Sequence, residues 1–319
     1  MAEIIIRISD DFEARALFGK HDSNLKRIEE ALGVTTVYRA GDLKITSEEE
    51  ERLEKAKRIL SEFLIVIRKG GHISPRDIDY AIKNAGISMH LNDIFLDKIE
   101  VSSKRMFVTP RSEGQKLYID AIRKNDIVFG IGPAGTGKTY LAMAMAVNAL
   151  RKNLVSRIIL TRPAVEAGES LGYLPGDIYE KVNPYLRPLY DALYDMVEPH
   201  LIKEYLEEGI IEVAPLAFMR GRTLNDSFII MDEAQNSTPE QMKMFLTRLG
   251  FDSKTVITGD ITQSDLPKGK SSGLIHAREL LSRVEGIKFV FLKGEDVVRH
   301  ELVQEIIKVY KERSESENE

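Results

Sequence analysis

The stretch "DIVFGIGPAGTGKTYLAMA", residues 126–144, limits what this 319-residue chain can fold into more than any other. An apolar run with strand character passes through three glycines into Lys138-Thr139 and then directly into an Ala/Met-rich helical segment. Gly132, four residues, and then Gly137, Lys138 and Thr139 reproduce the G-x-x-x-x-G-K-S/T spacing of a phosphate-binding loop, in the strand-before, helix-after context that spacing needs. The loop Gly132-Pro133-Ala134-Gly135-Thr136-Gly137 is expected to wrap phosphates with its backbone at the positive end of the helix that follows. Lys138 is placed to reach the terminal phosphates of ATP, and the Thr139 hydroxyl to ligate Mg2+.

A phosphate loop alone says nucleotide; a second element must say hydrolysis. "SFIIMDEAQNS" supplies a buried strand that delivers Asp232 and Glu233 to its C-terminal edge, where parallel sheets bind ligands. Asp232 is expected to hold the Mg2+ shell, and Glu233 to polarise the attacking water as general base. Further strands are read in "SRIILT", "IIEVA", "KTVITGD" and "IKFVFL", alternating with helical segments. That alternation specifies an α/β fold with a parallel sheet. An inserted strand with Glu after Asp resembles the ATPase branch of P-loop proteins with a RecA-like core. On that resemblance Thr258, Gly259 and Asp260 face the γ-phosphate. Gln115, just ahead of the loop strand, resembles the glutamine that reads adenine in superfamily 1 helicases, since a side-chain amide pairs with both N6 and N7.

Phosphoryl transfer also needs cationic charge at the γ-phosphate. Arg299 in "EDVVRHELV" is the favoured catalytic arginine. Arg162, Arg220 and Arg222 remain candidates for a trans-acting arginine or an RNA contact, with Arg187 as a further backbone contact.

Residues 1–70 read as strand, helix, helix, strand, strand, helix, an order that resembles a type I KH domain. KH domains clamp single-stranded nucleic acid on a G-x-x-G loop. Gly19 stands at its first position, but Asp22 replaces the second glycine and sets a carboxylate against the phosphates. Residues 71–107 are expected to form a helical connector, residues 108–311 the ATPase domain, and the acidic end 312–319 a disordered tail.

Composition narrows the class without choosing the ligand. Hydrophobic residues make up 43% and charged residues 30%, as in a soluble globular protein. With no cysteine there is no thiol chemistry and no thiolate metal site. The net charge of −5 argues against a polyanion-binding surface over the whole chain but leaves room for a local basic groove. The start lacks a secretion signal, and "YLAMAMAVNAL" falls short of the roughly 20 residues a bilayer span needs. A cytoplasmic protein without a membrane segment is expected.

"GPAGTGKTYLA", "TRPAVEAGESLGYLPGD", "FMRGRTLNDSFIIMDEAQNST", "TGDITQSDLP" and "DVVRHELV" together resemble the PhoH-like ATPases over roughly residues 100–311. The resemblance implies an ATP-binding, ATP-hydrolysing protein related to superfamily 1 helicase cores and linked to RNA metabolism. It also implies, in some members, a ribosome-maturation endoribonuclease as partner. About 200 residues build one RecA-like lobe rather than the two a helicase closes on ATP. A homo-oligomeric ring, as a hexamer, is therefore expected to complete each site. A nucleotide-gated assembly factor and a small-molecule kinase are the alternatives to an RNA remodeller.

Overall fold

A computed structural model describes residues 2–84, 90–101, 107–163, 178–263, 266, 271–298, 302, 303, 306, 309 and 310, with the backbone alone for 178–185. Two compact units result: residues 1–98 with 109–113, and residues 99–108 with 114–319.

In the first unit the expected element order is present: β1 (Ala2–Arg7), α1 (Asp11–Phe18), α2 (Ser23–Leu32), β2 (Thr35–Arg39), β3 (Asp42–Ser47) and α3 (Glu50–Arg68). Asp10 caps α1 by accepting the Glu13 N–H, and α2 ends at Gly33 in a left-handed conformation that glycine adopts without steric penalty. The three strands form an antiparallel sheet in the order β1-β3-β2. Alternation along β3 buries Leu43 and Ile45 against Leu53, Ala56, Leu60 and Phe63 of α3.

Residues 71–98, expected as part of a connector, contribute to this same core. α4 (Pro75–Lys83), opened by a Ser74–Asp77 capping box, brings Ile78 and Ala81 into it, and α5 (Leu91–Phe95) brings Leu91 and Phe95. The sequence shows the Gly70-Gly71 break but not that the apolar faces beyond it belong to the preceding core.

The second unit begins with a short antiparallel pair, β4 (Ile99–Glu100) and β5 (Phe107–Val108), followed by α6 (Glu113–Lys124). β6 (Ile127–Ile131) then feeds α7 (Lys138–Arg151). After it come β7 (Arg157–Arg162), α8 (Ile178–Tyr194), α9 (Pro199–Glu207), β8 (Ile211–Pro215), β9 (Ser227–Met231), α10 (Pro239–Leu246), β10 (Lys254–Gly259), α11 (Gly273–Leu281) and β11 (Ile287–Phe291). All four strands expected around the acidic strand are present. The six strands are parallel, in the order β11-β6-β10-β9-β7-β8. β10 thus lies between the loop strand β6 and the acidic strand β9, which is the RecA-like arrangement.

Both sheet faces are covered, so the central strands β6, β7, β9 and β10 are buried at nearly every position rather than at every second one. Val128, Ile158, Leu160, Phe228, Ile230 and Val256 meet Leu141, Ala142 and Met145 of α7 on one side. On the other, Phe129, Ile159, Ile229 and Ile257 meet Met242, Phe245 and Leu274. Among the described residues no helix is long and apolar enough to cross a membrane.

Gly130 is required by packing. A Cβ there would lie 2.6 Å from the ring of Tyr118, which is fully buried with its hydroxyl lacking a hydrogen-bond partner among the described residues. Burial, and after it the Asp232 charge, pushes the Tyr118 hydroxyl well above the usual phenol range, so it stays neutral. Gly130→Ala is expected to destabilise the second unit by roughly 1–3 kcal/mol through overpacking. Tyr118→Phe is expected to leave stability unchanged or raise it by about 1 kcal/mol, because an orphaned buried hydroxyl is removed. Thermal midpoints of the two variants check the pair.

In the first unit the Arg68 guanidinium grips Glu13 with two bonds, 2.8 and 2.9 Å, and holds its carboxyl down at about 2, assisted by the Ser9 N–H. Because the folded value lies below the unfolded one, this stabilisation is present above the ordinary carboxylate range and disappears as pH falls toward 2. Glu13→Gln is expected to destabilise this unit by on the order of 1 kcal/mol at neutral pH. The difference from wild type should vanish in acid, as read from denaturation midpoints between pH 7 and 2.

Candidate functional site

The backbone of the loop is set by its glycines. Gly135 and Gly137 have φ of 87° and 80°, left-handed values that a side chain would strain. A Cβ on Gly132 would come within 2.5 Å of the Leu292 carbonyl. Thr136 Oγ1 donates to the Pro133 carbonyl at 2.9 Å, which closes the turn. α7 starts at once behind Gly137, so its first N–H groups face the loop mouth. The Lys138 ammonium folds across that mouth, donating to the carbonyls of Gly132 at 2.6 Å and Pro133 at 2.9 Å.

Opposite the loop stands Asp232, 6% exposed, at the end of β9. Its Oδ1 accepts the Thr139 hydroxyl at 2.7 Å and the Thr258 hydroxyl at 2.6 Å. Three segments far apart in the chain therefore meet on one carboxylate oxygen. The Thr139 hydroxyl and the Asp232 carboxylate form an all-oxygen donor pair. This is the hard ligand set on which Mg2+ is held together with substrate phosphates and water, so the residues present fit that cation.

Glu233 sits at φ 53°, an unusual left-handed value for a residue with a side chain, where β9 turns into a short helical turn over 234–236. Both carboxylate oxygens are engaged. Arg162 Nη2, from the end of β7, lies 3.0 Å from Oε1, and Gln235 Nε2 donates to Oε2. Arg162, expected as an RNA contact or trans-acting arginine, is thus brought into the site on this same chain.

Asp260, 6% exposed at the tip of β10, uses Oδ1 to accept the backbone N–H and hydroxyl of Thr262, at 2.9 and 2.7 Å. Its Oδ2 has no hydrogen-bond partner among the described residues. A buried carboxylate oxygen in that state calls for a cation or a donor. Asp232, Glu233 and Asp260 line a cleft of about 270 Å3 together with Lys138, Thr139 and Gln235.

The remaining candidates fall elsewhere. Gln115 is 3% exposed behind the loop, and its Nε2 donates to the carbonyls of Thr136 at 3.1 Å and Asp296 at 3.4 Å; its amide nitrogen supports the loop backbone. Arg222 forms a two-bond pair with Glu212 of β8, at 2.6 and 2.7 Å, which raises its already high pKa further. Arg220 is exposed, and Arg187 pairs with Asp191 at 3.5 Å on the surface. Arg299, the segment 164–177 and the tail 312–319 lie outside the described residues. Gln235 is not marked by any spacing rule, two residues beyond the acidic pair; only the fold shows it reaching both Glu233 and β10.

A RecA-like parallel sheet that carries a glycine loop with its lysine and threonine after β6, and an Asp-Glu pair at the end of β9 one strand removed, defines a P-loop NTPase. The family model described as PhoH-like protein matches residues 107–311. The "PhoH-like protein" of Bacillus subtilis (strain 168) is 52% identical over 306 residues, covering 95% of this chain and 96% of that relative. The "PhoH-like protein" of Mycobacterium tuberculosis (strain ATCC 25618 / H37Rv) is 50% identical over 295 residues, covering 92% and 84%. "Protein PhoH" of Escherichia coli (strain K12) is 46% identical over 205 residues, 64% of this chain and 58% of that protein. The chain belongs to the PhoH-like family.

Lys138→Ala removes the ammonium that folds across the loop mouth. It is expected to weaken binding of a fluorescent ATP analogue or lower turnover by roughly 10²–10³, while far-ultraviolet circular dichroism stays as in wild type.

Proposed function

We propose that the chain binds ATP with Mg2+ and hydrolyses it, and that it couples hydrolysis to the remodelling of RNA as a homo-oligomer. The observation that carries the catalytic part is the convergence of Thr139 and Thr258 on Asp232, with Glu233 next in sequence at the cleft. In this reading Lys138 and the loop amides bind the triphosphate, and Thr139 with Asp232 holds Mg2+. The cation, when bound, neutralises charge on the β- and γ-phosphates. Glu233 accepts a proton from the water that attacks the γ-phosphate, and the Thr258–Asp260 tip responds to that phosphate.

The RNA part rests on the family resemblance and on the first unit, whose strand and helix order and β1-β3-β2 sheet suit a KH-like module. His21 and Asp22 in its loop have φ of 53° and 60°, a strained tip that points to binding, although Asp22 opposes a phosphate. The oligomer part rests on a single RecA-like lobe. A neighbouring copy in a ring, as a hexamer, would then supply an arginine such as exposed Arg220, or Arg299. An endoribonuclease of ribosome maturation as partner and a cytoplasmic setting complete the proposal.

ATP turnover of wild type and Glu233→Gln, each with and without single-stranded RNA, tests it. The variant is expected to bind ATP and lose turnover by roughly 10²–10⁴, and RNA to accelerate the wild type in a salt-sensitive way. Equal turnover of the two proteins removes Glu233 as base. Turnover without RNA stimulation replaces the remodeller by a nucleotide-gated assembly factor.

A further inference from the structure

Gln235 is 4% exposed and belongs to the short turn immediately behind the acidic pair. Its side-chain amide is used at both ends. Nε2 donates to Glu233 Oε2, and Oε1 accepts the backbone N–H of Asp260 at 3.1 Å. The backbone around it is equally committed: its carbonyl accepts the Ser272 hydroxyl at 3.0 Å, and Gly259 leaves room for it, since a Cβ there would lie 2.9 Å from Oε1. The orientation of the amide admits no reversal. Turning it over would set its carbonyl oxygen against a carboxylate and its NH2 against an N–H donor.

We infer that Gln235 is a positioning residue for hydrolysis, which aims the Glu233 carboxylate and ties it to the tip of β10, so that the base and the γ-phosphate-facing tip move as one. The inference rests on the reading of Glu233 as general base. Glu233 needs such a hold because it leaves β9 at a left-handed φ of 53° with its side chain partly in solvent. Arg162 on Oε1 restrains the other oxygen. A carboxylate fixed through both oxygens has lost the rotamer freedom that would otherwise scatter it away from the water it must meet. The link also gives a route by which a change at Asp260 reaches Glu233 without passing through the sheet.

The near-isosteric variant Gln235→Glu isolates the role of the amide. When protonated, the new carboxyl donates its O–H to Glu233 and accepts the Asp260 N–H, as the amide does. When ionised, it sets a second negative charge against Glu233 and donates nothing. The ratio of variant to wild-type kcat is therefore expected to be roughly tenfold or more below unity at pH 8 and to rise toward unity as pH falls to about 5.5. KM for ATP should stay within about threefold. Gln235→Leu, which cannot donate at any pH, is expected to lose kcat to a similar degree with a ratio flat in pH.

Introduced beside Glu233→Gln, Gln235→Leu should add little, because the carboxylate it positions is gone. A flat ratio for Gln235→Glu, or a full additional loss in the double variant, overturns the assignment of Gln235. Equal turnover of wild type and Glu233→Gln overturns instead the base on which it rests. Should the position-235 variants fail to fold, the side-chain amide resonances of Gln235 in the full chain give the second readout. They are expected to shift on Glu233→Ala, and unchanged resonances contradict the link.

Discussion

One carboxylate oxygen organises the second unit. Asp232 Oδ1 accepts hydroxyls from Thr139 on the helix behind the loop and from Thr258 on the inserted strand. These contacts bring β6 with α7, β10 and β9 to a common point at the C-terminal edge of the sheet. A buried carboxylate is unfavourable unless its lone pairs are used, so this cluster is a demand of desolvation as much as of function. It places the aspartate where a hard cation can be shared between its carboxylate and phosphate oxygens.

The order of the strands makes this possible. With β10 between β6 and β9, residues 258–260 enter the cleft between the loop and the acidic pair rather than beside them. Thr258 therefore reaches Asp232, the Asp260 N–H reaches Gln235, and Gln235 reaches Glu233. The chain of contacts runs along strand ends, which are rigidly held by a core apolar on both faces.

Much of this was legible in the residues. The loop spacing, the strand before it, the Asp-Glu pair after an apolar run and all four further strands were read in place, because each carries a local signature of period or composition. Pairings that depend on tertiary contact were not. Arg162, expected as an RNA contact or a trans-acting arginine, pairs with Glu233, and nothing in "LTRPA" reveals that β7 ends beside β9. Gln115 was read as an adenine reader and is found supporting Thr136, because a helix-start glutamine does not disclose which side of the loop it meets. The Gly70-Gly71 break suggests a connector over residues 71–107, whereas Ile78, Leu91 and Phe95 complete the core of the first unit. Gln235 carries no sequence signature at all.

In the proposed function Asp232 serves a cation shared with the nucleotide. The most direct measurement is the Mg2+ dependence of ATP-analogue affinity in wild type and Asp232→Asn, titrated by fluorescence with and without the metal. Tighter binding with Mg2+ in the wild type, and loss of that gain in the variant while metal-free binding persists, is what this account predicts. An equal gain from Mg2+ in both proteins would contradict it.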